Sequence, residues 1–274
     1  NANFSPDGNS IVTASWDKTA KVWSQGGQLI ATLKGHTGVV ENANFSSDGK
    51  SIVTVSRDTT AKVWSQGGQL IATLKGHTNS VLNANFSPDG NSIVTASNDN
   101  TAKVWSRSGE LIATLKGHKG GVVNANFSHD SKTIITASWD KTAKVWSRSG
   151  ELITTLKGHT EGVNNANFSP DGKTIVTASD DKTAKVWSSS GEELATLKGH
   201  TSTVNNANFS PDGKTIVTAS NDNTANIWSS SGQELATLNG HTEGVRDANF
   251  SPDGKIIVTA SWDKTAKIWS GSGQ

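Results

Sequence analysis

Residues 81–118 read VLNANFSPDGNSIVTASNDNTAKVWSRSGELIATLKGH, and this stretch decides the fold. It holds four short runs rich in β-branched and aromatic residues, separated by turn-forming residues. Val81–Phe86, like Val40–Phe45 before it, reads as a first strand. It runs into Ser87-Pro88-Asp89-Gly90, where Pro presets φ at the second turn position and Gly accepts the last. Ile93–Ser97 is the expected second strand, and the tight turn Asn98-Asp99-Asn100 leads into a third at Thr101–Trp105. Leu111–Leu115 is the fourth, ahead of Gly117-His118. Strands of about five residues in meander order, with no helical stretch, exclude an α/β fold.

The same unit recurs along the whole chain. Phe4, Phe45, Phe86, Phe127, Phe168, Phe209 and Phe250 are spaced by 41 residues, and so are Trp23, Trp64, Trp105, Trp146, Trp187, Trp228 and Trp269. Gly-His pairs keep the same step at His36, His77, His118, His159, His200 and His241. A four-stranded sheet of this size cannot stand alone, so neighbouring units must cover its faces. Fourteen of the 17 aromatic residues are therefore columns of one repeat, and only Trp16, Trp139 and Trp262 fall outside it.

Composition narrows the chemistry. The 274 residues are 33% hydrophobic and contain no Cys, Met or Tyr. Absent cysteine excludes disulfides, thiolate zinc sites and a cysteine nucleophile. No apolar run approaches the length of a membrane-spanning helix, and no basic segment precedes an apolar stretch as in a signal peptide. With 25 basic against 24 acidic residues and lysines spread through every unit, nothing points to nucleic acid. A cytoplasmic protein without membrane contact is the expectation.

With Gly-His, a strand, a turn, Ser-x-Asp and a Trp six residues later, the chain resembles the WD40 repeat family of β-propellers over its full length. The resemblance implies an all-β, seven-bladed propeller of four-stranded antiparallel blades, with the outer strand of the last blade missing. It implies one domain over 1–274, of seven 41-residue units with the last incomplete. Seven full units would need 13 more residues, so a fragment of a longer array is expected, with a three-stranded last blade as the alternative. The repetitive style is similar to bacterial WD40 arrays in large signalling proteins.

The resemblance also implies a structural hydrogen-bond network in each blade. His36, Thr54, Asp58 and Trp64 form one set, and His77, Thr95, Asp99 and Trp105 the next. Equivalent sets follow at His118, His159, His200 and His241, whereas the first unit has Thr13, Asp17 and Trp23 but no His. A His beside an Asp also fits a catalytic relay. Yet no nucleophile column accompanies it, and the Ser column from Ser15 to Ser261 reads as turn chemistry. No catalytic residue, cofactor or metal is expected.

Some columns depart from the family pattern. Asn fills the position before the repeated Phe, from Asn3 to Asn249, and also the position two earlier except at Asp247. These amides, where buried, need partners, and a structural ring near the propeller channel is the main expectation. A polar solute site is the alternative. Ser131 replaces a turn Gly and costs some stability if its φ is positive.

Function is sought where near-identical units differ. The residue before the turn Asp is Trp16, Arg57, Asn98, Trp139, Asp180, Asn221 or Trp262. Just after the first-strand Val stand Glu41, Leu82, Val123, Asn164, Asn205 and Arg246. By resemblance both positions lie on the top face. Trp and Arg are frequent binding anchors, which makes Trp16, Trp139, Trp262, Arg57, Arg246, Glu41, Leu82, Val123 and Asp180 the candidate site. The bland alternative has each Trp packing over its own turn, at Lys18, Lys141 or Lys264. The leading expectation is a non-catalytic scaffold for a protein or peptide, monomeric or part of a longer chain. Glycan stacking on the Trp rings and a purely structural array are the alternatives.

Overall fold

The computed structural model describes residues 1–271. Ser272, Gly273 and Gln274, which enter the reading of the chain end, lie outside the described residues. The described residues form 27 strands in seven sheets, six with four strands and one with three. Within each sheet consecutive strands are neighbours, and the meander pairs them antiparallel. The three-stranded sheet is the last, made of Val245–Phe250, Ile256–Ser261 and Ala266–Ser270. This is the topology of a seven-bladed β-propeller whose last blade lacks its outer strand. We number the sheets as blades 1 to 7 along the chain.

The third blade shows how the sequence makes a blade. Its strands are Val81–Phe86, Ser92–Ser97, Thr101–Ser106 and Leu111–Lys116, each within a residue or two of the sequence reading. The first turn closes with Gly90 N–H on the Ser87 carbonyl at 2.8 Å, and Gly90 takes φ 71°. In blade 4 Ser131 occupies that position at φ 61°, in the left-handed region that favours glycine. The second strand is buried along its whole length, since it has paired strands on both edges and packing on both faces.

The chain divides into two compact units, Asn1–Thr136 with Trp146–Leu152, and Ala137–Val145 with Ile153–Gln274. In unit 1 the core consists of interfaces between successive blades. Val53, Val55, Ala61, Val63 and Leu74 of blade 2 meet Val81, Ala84, Ile93 and Trp105 of blade 3. The same two half-faces join blade 1 to blade 2 through Val12, Val22 and Leu33 against Ile52 and Trp64. Unit 2 repeats the arrangement between blades 5 and 6 and between blades 6 and 7. Each fully buried aliphatic or aromatic side chain contributes about 1.5–3 kcal/mol. A chain of modest apolar content can thus be stable, because every inner blade buries two apolar faces, one against each neighbour.

Candidate functional site

Beneath the turns lies the buried hydrogen-bond chain. His36 Nδ1 is 2.8 Å from Asp58 Oδ2, and His36 Nε2 is 2.8 Å from Thr54 Oγ1. Trp64 Nε1–H donates to Thr54 Oγ1 at 2.8 Å. An indole N–H can only donate and a carboxylate can only accept, which fixes the direction of the chain. Trp64 donates to Thr54, the Thr54 hydroxyl donates to His36 Nε2, and His36 Nδ1–H donates to Asp58. The histidine is neutral in this arrangement. Burial pushes His36 and His77 below the ordinary imidazole range, against the pull of Asp58 and Asp99. Burial pushes Asp58 up, but the Thr60 hydroxyl, the Thr37 N–H and His36 hold it down at about 2.

The geometry recurs at His77, Thr95, Asp99 and Trp105, with Nδ1 to Asp99 at 2.7 Å and Trp105 Nε1 to Thr95 at 2.9 Å. In blade 1, without a histidine, Trp23 Nε1 still reaches Thr13 Oγ1 at 2.9 Å. Ser56, of the Ser column read as turn chemistry, belongs to the same network, and so does Thr60, which the sequence reading did not single out. Thr60 Oγ1 donates to Asp58 Oδ1 at 2.6 Å, and Asp58 N–H donates to Ser56 Oγ at 3.1 Å. Their signal was available, because both columns keep the 41-residue step.

Above this layer the variable positions are held by the main chain. Arg57 N–H donates to the Val39 carbonyl at 3.0 Å, Asp180 N–H to Gly162 at 2.9 Å and Trp262 N–H to Gly244 at 3.0 Å. The second variable column sits at a β-bulge. Val40 pairs with Ser56 and Asn42 with Val55, which leaves Glu41 as the extra residue. Asn164, Asn205 and Arg246 stand at the same bulge in unit 2. A bulge re-aims its side chain, here toward the turn residue 16 positions later. Glu41 accepts from Arg57 Nε. Asn164 Nδ2 donates to Asp180 Oδ1 at 2.8 Å, and Asn205 Nδ2 to Asn221 Oδ1 at 2.7 Å. The Arg246 guanidinium stacks over the Trp262 ring at 5.1 Å. Backbone pinning leaves the identity of these side chains free to vary, and the bulge brings four of the pairs into contact. Sequence reading found both columns but not their pairing, since a bulge leaves no compositional mark.

The three surplus tryptophans are each more than half exposed, Trp16 at 74%, Trp139 at 52% and Trp262 at 54%. Trp139 lies against the Gly162 backbone of the next blade, while Trp262 holds Arg246. Leu82 and Val123 are half-buried, and Arg57, Asp180 and Arg246 are exposed. Asn98 Oδ1, paired in sequence with Leu82 rather than a polar residue, is buried without a hydrogen-bond partner.

The asparagine columns form ladders. Asn44 Nδ2 lies 2.8 Å from Asn42 Oδ1, 2.8 Å from the Ala84 carbonyl of the next blade and 2.9 Å from Asn85 Oδ1. Asn85, Asn167 and Asn208 repeat this pattern. Two N–H donors serve three acceptors, so these amides are spent on joining blades. Arg107 and Arg148 form further clasps that sequence reading passed over. Arg107 Nη1 reaches Asp48 Oδ2 at 2.9 Å, and Arg148 Nη1 reaches Asp89 Oδ2 at 2.9 Å, each joining a blade to the preceding one.

Among the described residues no group of three or more His, Cys, Asp or Glu could hold a metal ion, and no helix is long and apolar enough to cross a membrane. Among curated proteins no match to the chain was found. The WD domain, G-beta repeat family matches at residues 2–24, 27–65, 68–106, 109–147, 150–188, 191–229 and 232–270, each segment after the first running from the outer strand of one blade through the first three strands of the next. With the blades, the buried His–Thr–Asp–Trp chains and these seven matches in agreement, the chain belongs to the WD40 family.

Proposed function

We propose that the protein is a non-catalytic scaffold that binds a protein or peptide through the top-face positions of its blades. WD40 propellers are generally interaction scaffolds, and the His–Asp pairs here are occupied in a structural chain. The observation that carries the reading is the separation of roles within each blade. Main-chain hydrogen bonds fix the turn at Arg57, Asn98, Asp180, Asn221 and Trp262, while Trp16, Trp139, Trp262, Arg57 and Arg246 project their side chains into solvent. Large aromatic and guanidinium groups held on a rigid frame lose little entropy on binding. The near-identical units, similar in style to bacterial WD40 arrays, favour the interaction part of a larger bacterial signalling protein, which we place in the cytoplasm. Neither nucleic acid nor membrane is a proposed partner.

The test uses peptides selected from a random display library on the wild-type protein. The triple variant Trp16→Ser, Trp139→Ser, Trp262→Ser is expected to keep its circular dichroism and urea midpoint while losing these peptides by at least about ten-fold. Unchanged peptide binding by the folded triple variant would overturn the reading.

A further inference from the structure

In unit 2 an exposed indole and an exposed carboxylate converge over a glycine. A β-carbon built on Gly162 would lie 3.1 Å from Asp180 Oδ2 and 3.1 Å from Trp139 Cδ1, so both groups close over this buried glycine and stand side by side. The Gly162 carbonyl accepts the Asp180 N–H, which ties the carboxylate-bearing turn to this floor. Asn164 Nδ2 holds Asp180 Oδ1 at 2.8 Å, leaving Oδ2 on the side of the indole. Among the described residues Asp180 has no ion-pair partner. The nearby Lys141 and Glu161 neutralise each other at 3.4 Å.

Elsewhere the chain fills such positions with its own arginines. Arg246 covers Trp262, and Arg57 pairs with Glu41. At Trp139 the residue in the Arg246 column is Val123, which carries no charge. The indole of Trp139 therefore lacks the arginine that covers its counterpart Trp262, and it stands beside the exposed carboxylate of Asp180. We infer that the exposed Trp139–Asp180 pair beside Gly162 receives a lysine or arginine side chain from the partner. The indole face attracts a cation through its quadrupole, and the carboxylate supplies the charge-assisted hydrogen bond. Glycine is needed at 162 because any side chain would occupy the point where the two groups meet. This inference rests on the scaffold reading and names the partner's chemistry at one of its positions.

The test titrates the whole chain with acetyl-Gly-Arg-Gly-amide, its Lys counterpart, and a citrulline counterpart that keeps the shape of arginine without its charge. The Trp139 indole N–H, assigned through Trp139→Phe, is followed by nitrogen-correlated NMR. Saturable shifts are expected with the Arg and Lys peptides, weakened by salt, and at least about ten-fold weaker binding with citrulline. Asp180→Asn, which keeps the Gly162 main-chain bond, should weaken the Arg peptide by a similar factor, and Lys173→Ala, an exposed lysine outside the binding positions, should leave its titration unchanged. Equal titration by citrulline, indifference to Asp180→Asn, or a Trp139 shift with maltose in place of the basic peptides would overturn the inference. If these cation results fail while display-selected peptides still lose binding to the triple tryptophan variant, only the cation site falls. If the selected peptides ignore the tryptophans, the scaffold reading falls instead.

Discussion

Blades 6 and 7 are built from almost the same strands and end in different surroundings. The second strand is TIVTAS in blade 6 and IIVTAS in blade 7, and both third strands carry Ile before Trp. Ile227 is 2% exposed, whereas its counterpart Ile268 is 74% exposed. Val217 and Val258 differ in the same way, at 0% and 43%. The blade 6 face is covered by Val245, Ala248 and Ile257 of blade 7, with Trp269 against its edge. A repeat therefore carries two half-interfaces, and burial belongs to the junction rather than to the sequence of either blade.

The largest expected effect tests this directly. Ile227→Ala should destabilise the protein by about 2–4 kcal/mol in urea unfolding, through lost burial and the cavity left between blades. Ile268→Ala should cost less than about 1 kcal/mol, because its side chain is already in water. Equal losses at the two sites would break the comparison.

Acid sharpens it from another side, because carboxylates within the turns answer to local bonds. Burial pushes Asp222 up, but His200, the Thr224 hydroxyl and the Thr201 N–H hold it well below the usual range. Asp263 is also held low, first by the Thr265 hydroxyl. A carboxyl held low in the fold stabilises above its unfolded pKa near 4, and that stability is lost as pH falls toward the folded value. His36 and His77, pushed down by burial, act in the same direction from about pH 6.5 downward, since the unfolded chain then binds the extra protons. The urea midpoint should fall steadily between pH 7 and pH 3. Asp222→Asn and Asp263→Asn should each flatten the lower part of that profile. A response to Asp222→Asn alone would mean that turn bonds, too, depend on the covering blade.

The smallest effect should be indifferent to blade. Lys182 and Lys264 both adopt left-handed backbone, at φ 69° and 68°. Replacing either with Gly should raise stability by about 0.5 kcal/mol in thermal or urea melts, as relief of strain slightly exceeds the entropy lost. Unequal gains would show that the turn strain is not local.

Much of the architecture was legible in the residues because period, turn chemistry and β-branching act over short distances. The turn at Ser87-Pro88-Asp89-Gly90, the four strands after Val81 and the columns His36, Thr54, Asp58 and Trp64 all appear in the chain as spacings. Other features have no local trace. The bulge at Glu41 arises from pairing with Ser56 and Val55 on the next strand. Asp48 and Arg107, 59 residues apart, meet only once two blades are stacked. The asparagine columns were visible as an anomaly, but their partners are carbonyls, such as Ala84, which every residue possesses.

The sequence by itself determined the seven units, their strands and turns, because those depend on local propensity and fixed spacing, and its resemblance to a known family implied the His–Thr–Asp–Trp network of every blade but the first. Tertiary structure alone decided which of two identical isoleucines is buried and which variable residues touch. It also brought Trp139 and Asp180 together over Gly162. The physical reason is the same in each case: a side chain's surroundings are set by a neighbouring strand or blade, and no arrangement of residues within one repeat encodes the presence of that neighbour.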